Sequence, residues 1–354
     1  MTLNTTPYFV QTKEWADFWL SSMDKNHQAH YISHMFDGGE FGCWAYQYPW
    51  QLGQSFLYIP KGPVLLSFDA ADSSRLSKEF CVFINKIVAH GESLGVVFVK
   101  IDFDYILTDS LGLKNDEQIL NIVKQNVMCP SSLSAKTIQY LSTMILDCTA
   151  LIKSDFDDGP DNFYRQNQSF FGQTNENIRR YTRKSLTKNW VIDTTKTSEN
   201  FEHFWSVYLA TAHRQNFAIH PRDYFEKMVG QDFVRLIVLK DESGVPHCCW
   251  LGVKIGDTLY YLYGGNDSYS FENYGQYLIH LVALQIASNE NVTKYDLGGY
   301  DDSKGFGKFK EGYRGEIVRF LGPIDILLKP VLYHSINKSI QIVKSTRSLI
   351  ARSK

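Results

Sequence analysis

The chain has 354 residues, of which 44% are hydrophobic and 21% charged; this excludes extensive disorder and suits two domains of ordinary size. A formal net charge of −2 excludes the global basic field that grips duplex nucleic acid, so any contact with RNA has to be local. The opening Met-Thr-Leu-Asn-Thr-Thr has neither a basic nor an apolar region of the signal-peptide kind. No apolar run approaches the roughly 18 residues of a membrane span, so a cytoplasmic location is expected.

Helical spacing of Trp15, Phe18 and Trp19 predicts an amphipathic first helix. Strand-like runs follow at Gly42–Tyr48, Ser55–Ile59 and Gly95–Ile101, with a helix over Ser74–His90 whose apolar side carries Leu76, Phe80, Phe83, Ile84 and Ile87. The acidic, turn-rich Asp155–Gly159 with Pro160 is the strongest boundary signal. Beyond it come a basic helix over Ile178–Leu186, a short strand at Trp190–Asp193, and helices over Glu199–Arg214 and Tyr224–Val229. Strands are read at Phe233–Leu239 and Cys249–Ile255, then a hairpin turn at Gly256-Asp257 and its return Thr258–Tyr263. An apolar helix over Asn273–Asn289 and a strand over Lys294–Leu297 complete the pattern. The class is therefore α+β, a mixed α/β chain whose two halves run in similar order, as a duplicated architecture would. The six cysteines show no CxxC and no metal-ligand spacing and are read as reduced, buried thiols, with Cys248 and Cys249 on opposite faces of a strand.

Six clusters carry chemistry. Lys61 sits between Pro60 and Gly62-Pro63 on a stiff strand-end loop, which suits either a phosphate or a solvated lysine. Lys100-Ile101-Asp102 ends an apolar strand, where Asp102 either faces a cleft or closes a turn. Arg179, Arg180, Arg183 and Lys184 form the densest positive patch, placed to meet RNA phosphates or to remain a solvated face. His220 and Tyr224 are four apart and share a face if Pro221 opens a helix. Strand alternation puts Tyr261 and Tyr263 on one face, and Gly264-Gly265 lets a ligand or backbone come close. Finally, Tyr295-Asp296-Leu297-Gly298-Gly299 leads into a glycine-rich loop and a compact element with Lys308, Phe309 and Lys310. That arrangement suits a cation brought beside a reacting carbonyl.

The ordered set of Gln11…Trp15, Tyr58-Ile-Pro-Lys-Gly-Pro, Lys100-Ile-Asp, Gln139…Thr143…Leu146-Asp147, Tyr261-Leu-Tyr-Gly-Gly, Tyr295-Asp-Leu-Gly-Gly and Phe309-Lys310 resembles the FemABX aminoacyltransferases over nearly the whole chain. It is most similar to the FemX branch, because there is no room for a coiled-coil arm. The resemblance implies two GNAT-like acyltransferase domains, 1–157 completed by a returning 322–354, and 158–321. It implies transfer of an amino acid from aminoacyl-tRNA to the stem peptide of a peptidoglycan precursor, UDP-MurNAc-pentapeptide or lipid II, without cofactor or metal. Carried over residue by residue, Lys61 matches the lysine at the precursor diphosphate. Tyr224, Tyr263 and Tyr261 match substrate tyrosines, and Phe309-Lys310 the pair at the aminoacyl ester. Asp102 matches an acid near the acceptor amine. His220 stands where the family often has an arginine, with Arg222 or Arg214 as the residue to compensate, and Tyr140 replaces a usual proline.

Two other functions compete with this one. A CoA-dependent N-acyltransferase needs a glycine-rich pyrophosphate loop, and Ser270-Phe-Glu-Asn-Tyr-Gly275 lacks its pattern. A non-catalytic relative would bind only precursor or membrane. In the tail, Leu332, Ile336, Ile340 and Val343 form an apolar stripe expected to pack on the first domain. After Asp325 no acidic residue appears, while Lys329, Lys338, Lys344, Arg347, Arg352 and Lys354 do; this basic end is a candidate for peripheral contact with the inner membrane face or with tRNA.

Overall fold

The computed structural model describes residues 2–4, 6–69, 73–134 and 136–340. The chain begins with β1 (Thr2–Asn4), α1 (Lys13–Ser22), β2 (Gln28–Phe36), β3 (Gly39–Pro49), β4 (Ser55–Ile59) and β5 (Val64–Asp69). Next come α2 (Ser73–Ser93), β6 (Phe98–Ile101), α3 (Tyr105–Ser110), α4 (Asp116–Asn126) and β7 (Ser131–Leu133). A second series starts at β8 (Ser142–Asp147) and continues through α5 (Gly159–Gln166), α6 (Gln168–Gln173), α7 (Glu176–Ser185), β9 (Val191–Asp193), α8 (Ser198–Gln215) and α9 (Arg222–Val229). It then runs through β10 (Val234–Lys240), β11 (Pro246–Ile255), β12 (Thr258–Asn266), α10 (Ser268–Glu272), α11 (Gly275–Asn289), β13 (Lys294–Gly299), α12 (Gly305–Glu311) and β14 (Glu316–Arg319). The last strand is β15 (Ile324–Leu327), followed by helical residues 330–340.

Two compact units result, Met1–Leu141 with Phe320–Lys354, and Ser142–Arg319. The boundary lies before the acidic turn on which the sequence reading placed it. The physical reason is pairing: β8 joins the second sheet as the antiparallel neighbour of both β13 and β14. Asp158 and Pro160 of the acidic turn instead open α5, with the proline in its first turn.

The first sheet runs β1-β5-β3-β4-β6-β15-β7, with β2 also on β3; the second runs β14-β8-β13-β12-β11-β10-β9. Each sheet holds one parallel pair joined through a long helix. In the first, Leu57–Ile59 of β4 lies beside Val99–Ile101 of β6, with α2 between them in the chain. In the second, Thr258–Tyr260 of β12 lies beside Lys294–Asp296 of β13, with α11 between. The common plan is the duplicated mixed α/β architecture expected above.

Local chemistry explains the main elements. Thr12 caps α1 by accepting from Trp15 N at 3.3 Å, and Trp15, Phe18 and Trp19 are buried, as their spacing predicts. Helix α2 buries Leu76, Phe80, Phe83, Ile84 and Ile87 against the first sheet's strands. The hairpin at Gly256-Asp257 forms with Gly256 at φ 58°, and Ile255 pairs with Thr258. Helix α11 is buried almost all round, against Met144, Ile237, Leu259 and Tyr295 of the second sheet among others.

Two expectations change. All six cysteines are free, but Cys81 and Cys129 are only half-buried. The tail stripe is visible only in part: Leu332 and Tyr333 pack on Val97, Phe98 and Leu327, and Ile336 is buried. Val343 and the cations from Lys344 onward lie outside the described residues. Among the described residues no helix is long and apolar enough to cross a membrane, and no group of His, Cys, Asp or Glu is placed to hold a metal.

Candidate active site

In the second sheet the parallel contact of β12 and β13 lasts only three residue pairs. Beyond Asp296 the β13 register shifts against β8, so Leu297 and Gly298 fall out of the ladder before Gly299 pairs with Thr143. On β12 a bulge leaves Leu262 without a partner, since Leu251 pairs with Tyr263 and Gly252 with Tyr261. The two strands therefore part, and a cavity of 350 Å³ occupies the gap, lined by Tyr261–Gly264 on one side and Leu297–Gly299 on the other.

The bulge overturns the expectation that Tyr261 and Tyr263 share a face. One extra residue reverses the alternation. Tyr261 stacks on Trp250 at 5.8 Å and meets His280 of α11 at 5.3 Å. Tyr263 instead meets Tyr208 of α8 at 5.8 Å and Phe225 of α9 at 5.0 Å. Gly264 permits this: a Cβ there would collide with the Tyr261 hydroxyl.

Lys310 sits on α12 with its side chain 7% exposed. Its Nζ donates to the carbonyl of Gly298 at 3.2 Å and of Gly299 at 2.6 Å, the backbone left over where the ladder slips. Gly298 has φ 73°, and a Cβ there would stand 2.7 Å from the Tyr261 carbonyl oxygen, so no other residue holds that carbonyl in place without strain. Thr143 Oγ1 also donates to Gly298 O, at 3.0 Å, and to Asp296, whose carboxylate accepts from Gly298 N at 2.7 Å. Burial pushes the Lys310 ammonium down to about 8, partly offset by the Asp296 charge.

Lys310 and Tyr261 also line a second, larger cavity of 930 Å³. Its other walls include Arg214, Phe217, His280, Phe306 and Phe309. The lysine is thus part of the wall that two cavities share. Phe309 is wedged between Tyr277 at 5.2 Å, His280 at 5.5 Å and Tyr313 at 5.6 Å, which fixes the helix that carries Lys310. Arg214 at the end of α8 donates to Asn266 O at 2.5 Å and brings a guanidinium to this larger cavity.

His280 is the residue that sequence reasoning passed over. It is the lone histidine of a largely apolar helix, which was the available signal. Its Nδ1 lies 2.7 Å from the Tyr295 hydroxyl, which also accepts from Trp250 Nε1 at 2.9 Å. Burial, together with the Lys310 charge, pushes it down to about 3, so it is neutral at physiological pH.

The other candidates of the second unit form a separate group. His220 stacks on Tyr224 at 4.1 Å, and burial lowers its pKa. Tyr224 is hydrogen-bonded to Tyr263, which also reaches the smaller cavity. Arg222 does not join them: it donates to Glu202 and, at 2.8 Å, to Glu226, across the exposed side of α8 and α9. With its donors on two carboxylates it is poorly placed to replace a phosphate-binding arginine.

In the first unit the loop after β4 is tied down. Gln11 accepts from Trp44 N at 2.7 Å and donates to Pro60 O at 2.7 Å. Asp102 N donates to Ile59 O at 2.9 Å and Gly62 N to Asp102 O at 2.8 Å, so the chain continues across the end of the parallel pair. Lys61, at φ 49°, is not solvated; it is 1% exposed, donates to Tyr140 O at 2.7 Å and lies 3.3 Å from the Phe320 ring centre. Asp102 is also buried; burial raises its pKa against the opposing effects of the Tyr58 hydroxyl and of Lys61 and Lys100. Lys100 is paired with Asp325 of β15 at 2.7 Å.

A family model described as the FemAB family matches residues 3–239 and 231–339. Among solved structures, one described as FemX is similar with a TM-score of 0.70 at 16% identity, covering 94% of this chain and 95% of that one. The C-terminal domain of a candidate lysylphosphatidylglycerol synthetase from Agrobacterium fabrum is similar with a TM-score of 0.51 at 8% identity, covering 93% and 91%. A tandem GNAT protein from the clavulanic acid biosynthesis pathway is found at a TM-score of 0.47 and 8% identity, covering 91% and 90%. No curated protein matches the sequence.

Proposed function

The chain belongs to the FemAB family, and from that premise we propose that it transfers an amino acid from aminoacyl-tRNA to the stem peptide of a peptidoglycan precursor in the cytoplasm. The observation that carries the proposal is the place of Lys310, a desolvated ammonium on the wall common to two cavities. An aminoacyl ester and an attacking amine have to meet from two sides, and a cation is useful where they meet.

The ester supplies the driving force, so no covalent nucleophile is required. Attack by the amine forms the C–N bond and turns the ester carbonyl oxygen into an oxyanion. Its collapse breaks the C–O bond to the terminal ribose, which leaves as a hydroxyl with the proton given up by the amine. A charge fixed beforehand by Gly298 and Gly299 stabilises the oxyanion without reorganisation, and low local polarity strengthens the effect. At about 8, Lys310 is mostly charged at neutral pH. Phe309 and Tyr261 bound its surroundings and limit water access. His280, held neutral, adds no competing positive charge. The attacking ammonium must lose a proton first. Asp102, a tRNA hydroxyl and water remain the candidates for that step.

The acceptor is assigned the smaller cavity and the tyrosines that border it, Tyr263 with Tyr224 and the stacked His220 behind. Lys61 is assigned the precursor diphosphate on the family resemblance; its ammonium now rests on Tyr140 and Phe320, so that role requires the aromatic cover to open. The test is to incubate the protein with charged total tRNA and UDP-linked or lipid-linked precursor and weigh the product. A mass gain of one amino acid residue supports the reading. Transfer from acetyl-CoA and not from tRNA contradicts it.

A further inference from the structure

Residues 176–188 carry five cations, Arg179, Arg180, Arg183, Lys184 and Lys188, against one carboxylate, Glu176. Elsewhere in this unit prominent cations are paired: Arg222 with Glu202 and Glu226, Arg235 with Glu290 at 2.6 Å, Lys240 with Asp193 at 2.9 Å. Among the described residues none of the five cations of this segment makes an ion pair with a carboxylate. Arg183 and Lys184 in the last turn favour the helix terminus electrostatically, but Arg180 is too early for that to explain it.

Arg179 and Arg183 donate to backbone carbonyls, of Thr174 and Arg179 among others, while Arg180 and Lys184 face aromatic rings. The Arg180 guanidinium lies 4.5 Å from the Tyr181 ring centre and donates to its hydroxyl at 2.6 Å. Lys184 Nζ is 5.3 Å from the Tyr274 ring centre. Tyr181 and Tyr274 stack at 5.1 Å and 16°. Tyr274 takes φ 61° at the start of α11, a conformation that is costly for a tyrosine and that turns its ring toward α7. From Tyr181 the next ring is Tyr277 at 5.1 Å, and from Tyr277 the next is Phe309 at 5.2 Å, the neighbour of Lys310. All three tyrosines are only half-buried. The basic helix is fastened to the Lys310 element as well: Asn175 N donates to Gly312 O at 2.8 Å, and Gly312 leaves no room for a Cβ against Ile178.

Unpaired cations interleaved with half-exposed rings are the chemistry of a single-stranded nucleic-acid surface, in which bases stack and phosphates meet charge. Here that surface leads by ring contacts to the larger cavity. We infer that the α7 face formed by Arg180, Tyr181 and Lys184, with Tyr274 and Tyr277 of α11, is the docking platform for the unpaired 3′ end of the donor RNA, delivering its terminal ester to Lys310. This rests on the aminoacyl-tRNA reading and adds the surface that the donor uses.

The test uses an uncharged RNA hairpin with a four-nucleotide 3′ overhang, the same hairpin made blunt, and vesicles of anionic phospholipid, with binding followed by anisotropy and sedimentation. The full chain is expected to bind the overhang hairpin about tenfold more tightly than the blunt one. Tyr181→Ala and Tyr274→Ala each erase that advantage, while Tyr181→Phe keeps it and so reports on stacking rather than folding. The double variant Arg180→Ala/Lys184→Ala weakens binding and reduces its salt dependence by about one to two in logarithmic slope. Arg165→Ala, which removes one positive charge at the i,i+4 pair with Asp161, leaves binding unchanged. An overhang that gives no advantage, variants that bind as wild type, or binding to vesicles without RNA preference overturns the inference. If charged tRNA donates its amino acid while these variants keep wild-type KM for it, the platform is wrong and the transfer reading stands. If the overhang pattern appears but no charged tRNA donates, the platform stands and the transfer reading fails.

Discussion

The two units treat the end of their parallel strand pair in opposite ways. In the first unit, backbone hydrogen bonds from Asp102 and Gly62 carry the chain across the end of β4 and β6, and Lys61 is sealed beneath Phe320. In the second, β12 and β13 separate, and Lys310 occupies the rim of the opening. Both lysines are buried, at 1% and 7% exposure, and both donate to backbone carbonyls. Burial alone therefore does not distinguish the two lysines. The cavities on either side of Lys310 do, and the smaller of them lies where neighbouring strands lose register.

The comparison breaks first at Lys310. Lys310→Met is expected to lower turnover by about a hundredfold to a thousandfold while acceptor KM changes little, as for loss of an oxyanion donor. Steady-state kinetics with both substrates varied checks this, and a change confined to KM would remove the lysine from the chemistry. Gly298→Ala attacks the opening itself: φ 73° and the 2.7 Å approach to Tyr261 O force the carbonyl off Lys310. It should lower turnover by about tenfold and lower the melting temperature, since such a substitution costs roughly 1–3 kcal/mol. At the closed end, Lys61→Ala should raise KM roughly tenfold for a precursor carrying the diphosphate and hardly alter a bare stem peptide. Equal losses on the two acceptors would show that Lys61 serves only the packing of Tyr140 and Phe320.

The smallest effect concerns His280. Its folded pKa of about 3 lies below the ordinary 6.5, so between those values the unfolded chain binds a proton that the folded chain does not. Stability contributed by the neutral histidine is complete above pH 6.5 and is lost as pH falls toward 3, by at most about 1.4 kcal/mol per unit. Urea midpoints from pH 7 to 4 should fall less steeply for His280→Gln than for the wild-type chain. Parallel slopes would mean that the acid sensitivity lies elsewhere.

Much of the fold was legible because its apolar periods are strong. Trp15, Phe18 and Trp19 on α1, the α2 stripe and the Gly256-Asp257 hairpin all follow from spacing. Strand β2 was not legible: in Gln28–Phe36 only Ile32 is buried, so the alternation that marks a strand is absent. Helices α5 and α6 were hidden in a stretch whose acidic, proline-bearing start reads as a linker, although Pro160 stands in a helical first turn. At the site, the glycine pair and Phe309-Lys310 were visible as a motif. The split faces of Tyr261 and Tyr263 were not, because the bulge lies in the register between the two arms of the hairpin, which apolar spacing does not reveal. Lys61 was read as a presented charge because Pro60, Gly62 and Pro63 describe the loop; Phe320, which covers it, is supplied by the returning segment.

The most direct test of the central claim is the pH dependence of turnover at saturating substrates, compared between the wild-type chain and Lys310→Arg. If the catalytic charge is the partly desolvated Lys310 ammonium, wild-type turnover falls as pH rises through about 8. The guanidinium keeps its proton throughout, so the account predicts that Lys310→Arg, active at a reduced level, shows no such fall. An alkaline fall near 8 that persists unchanged in Lys310→Arg would contradict it.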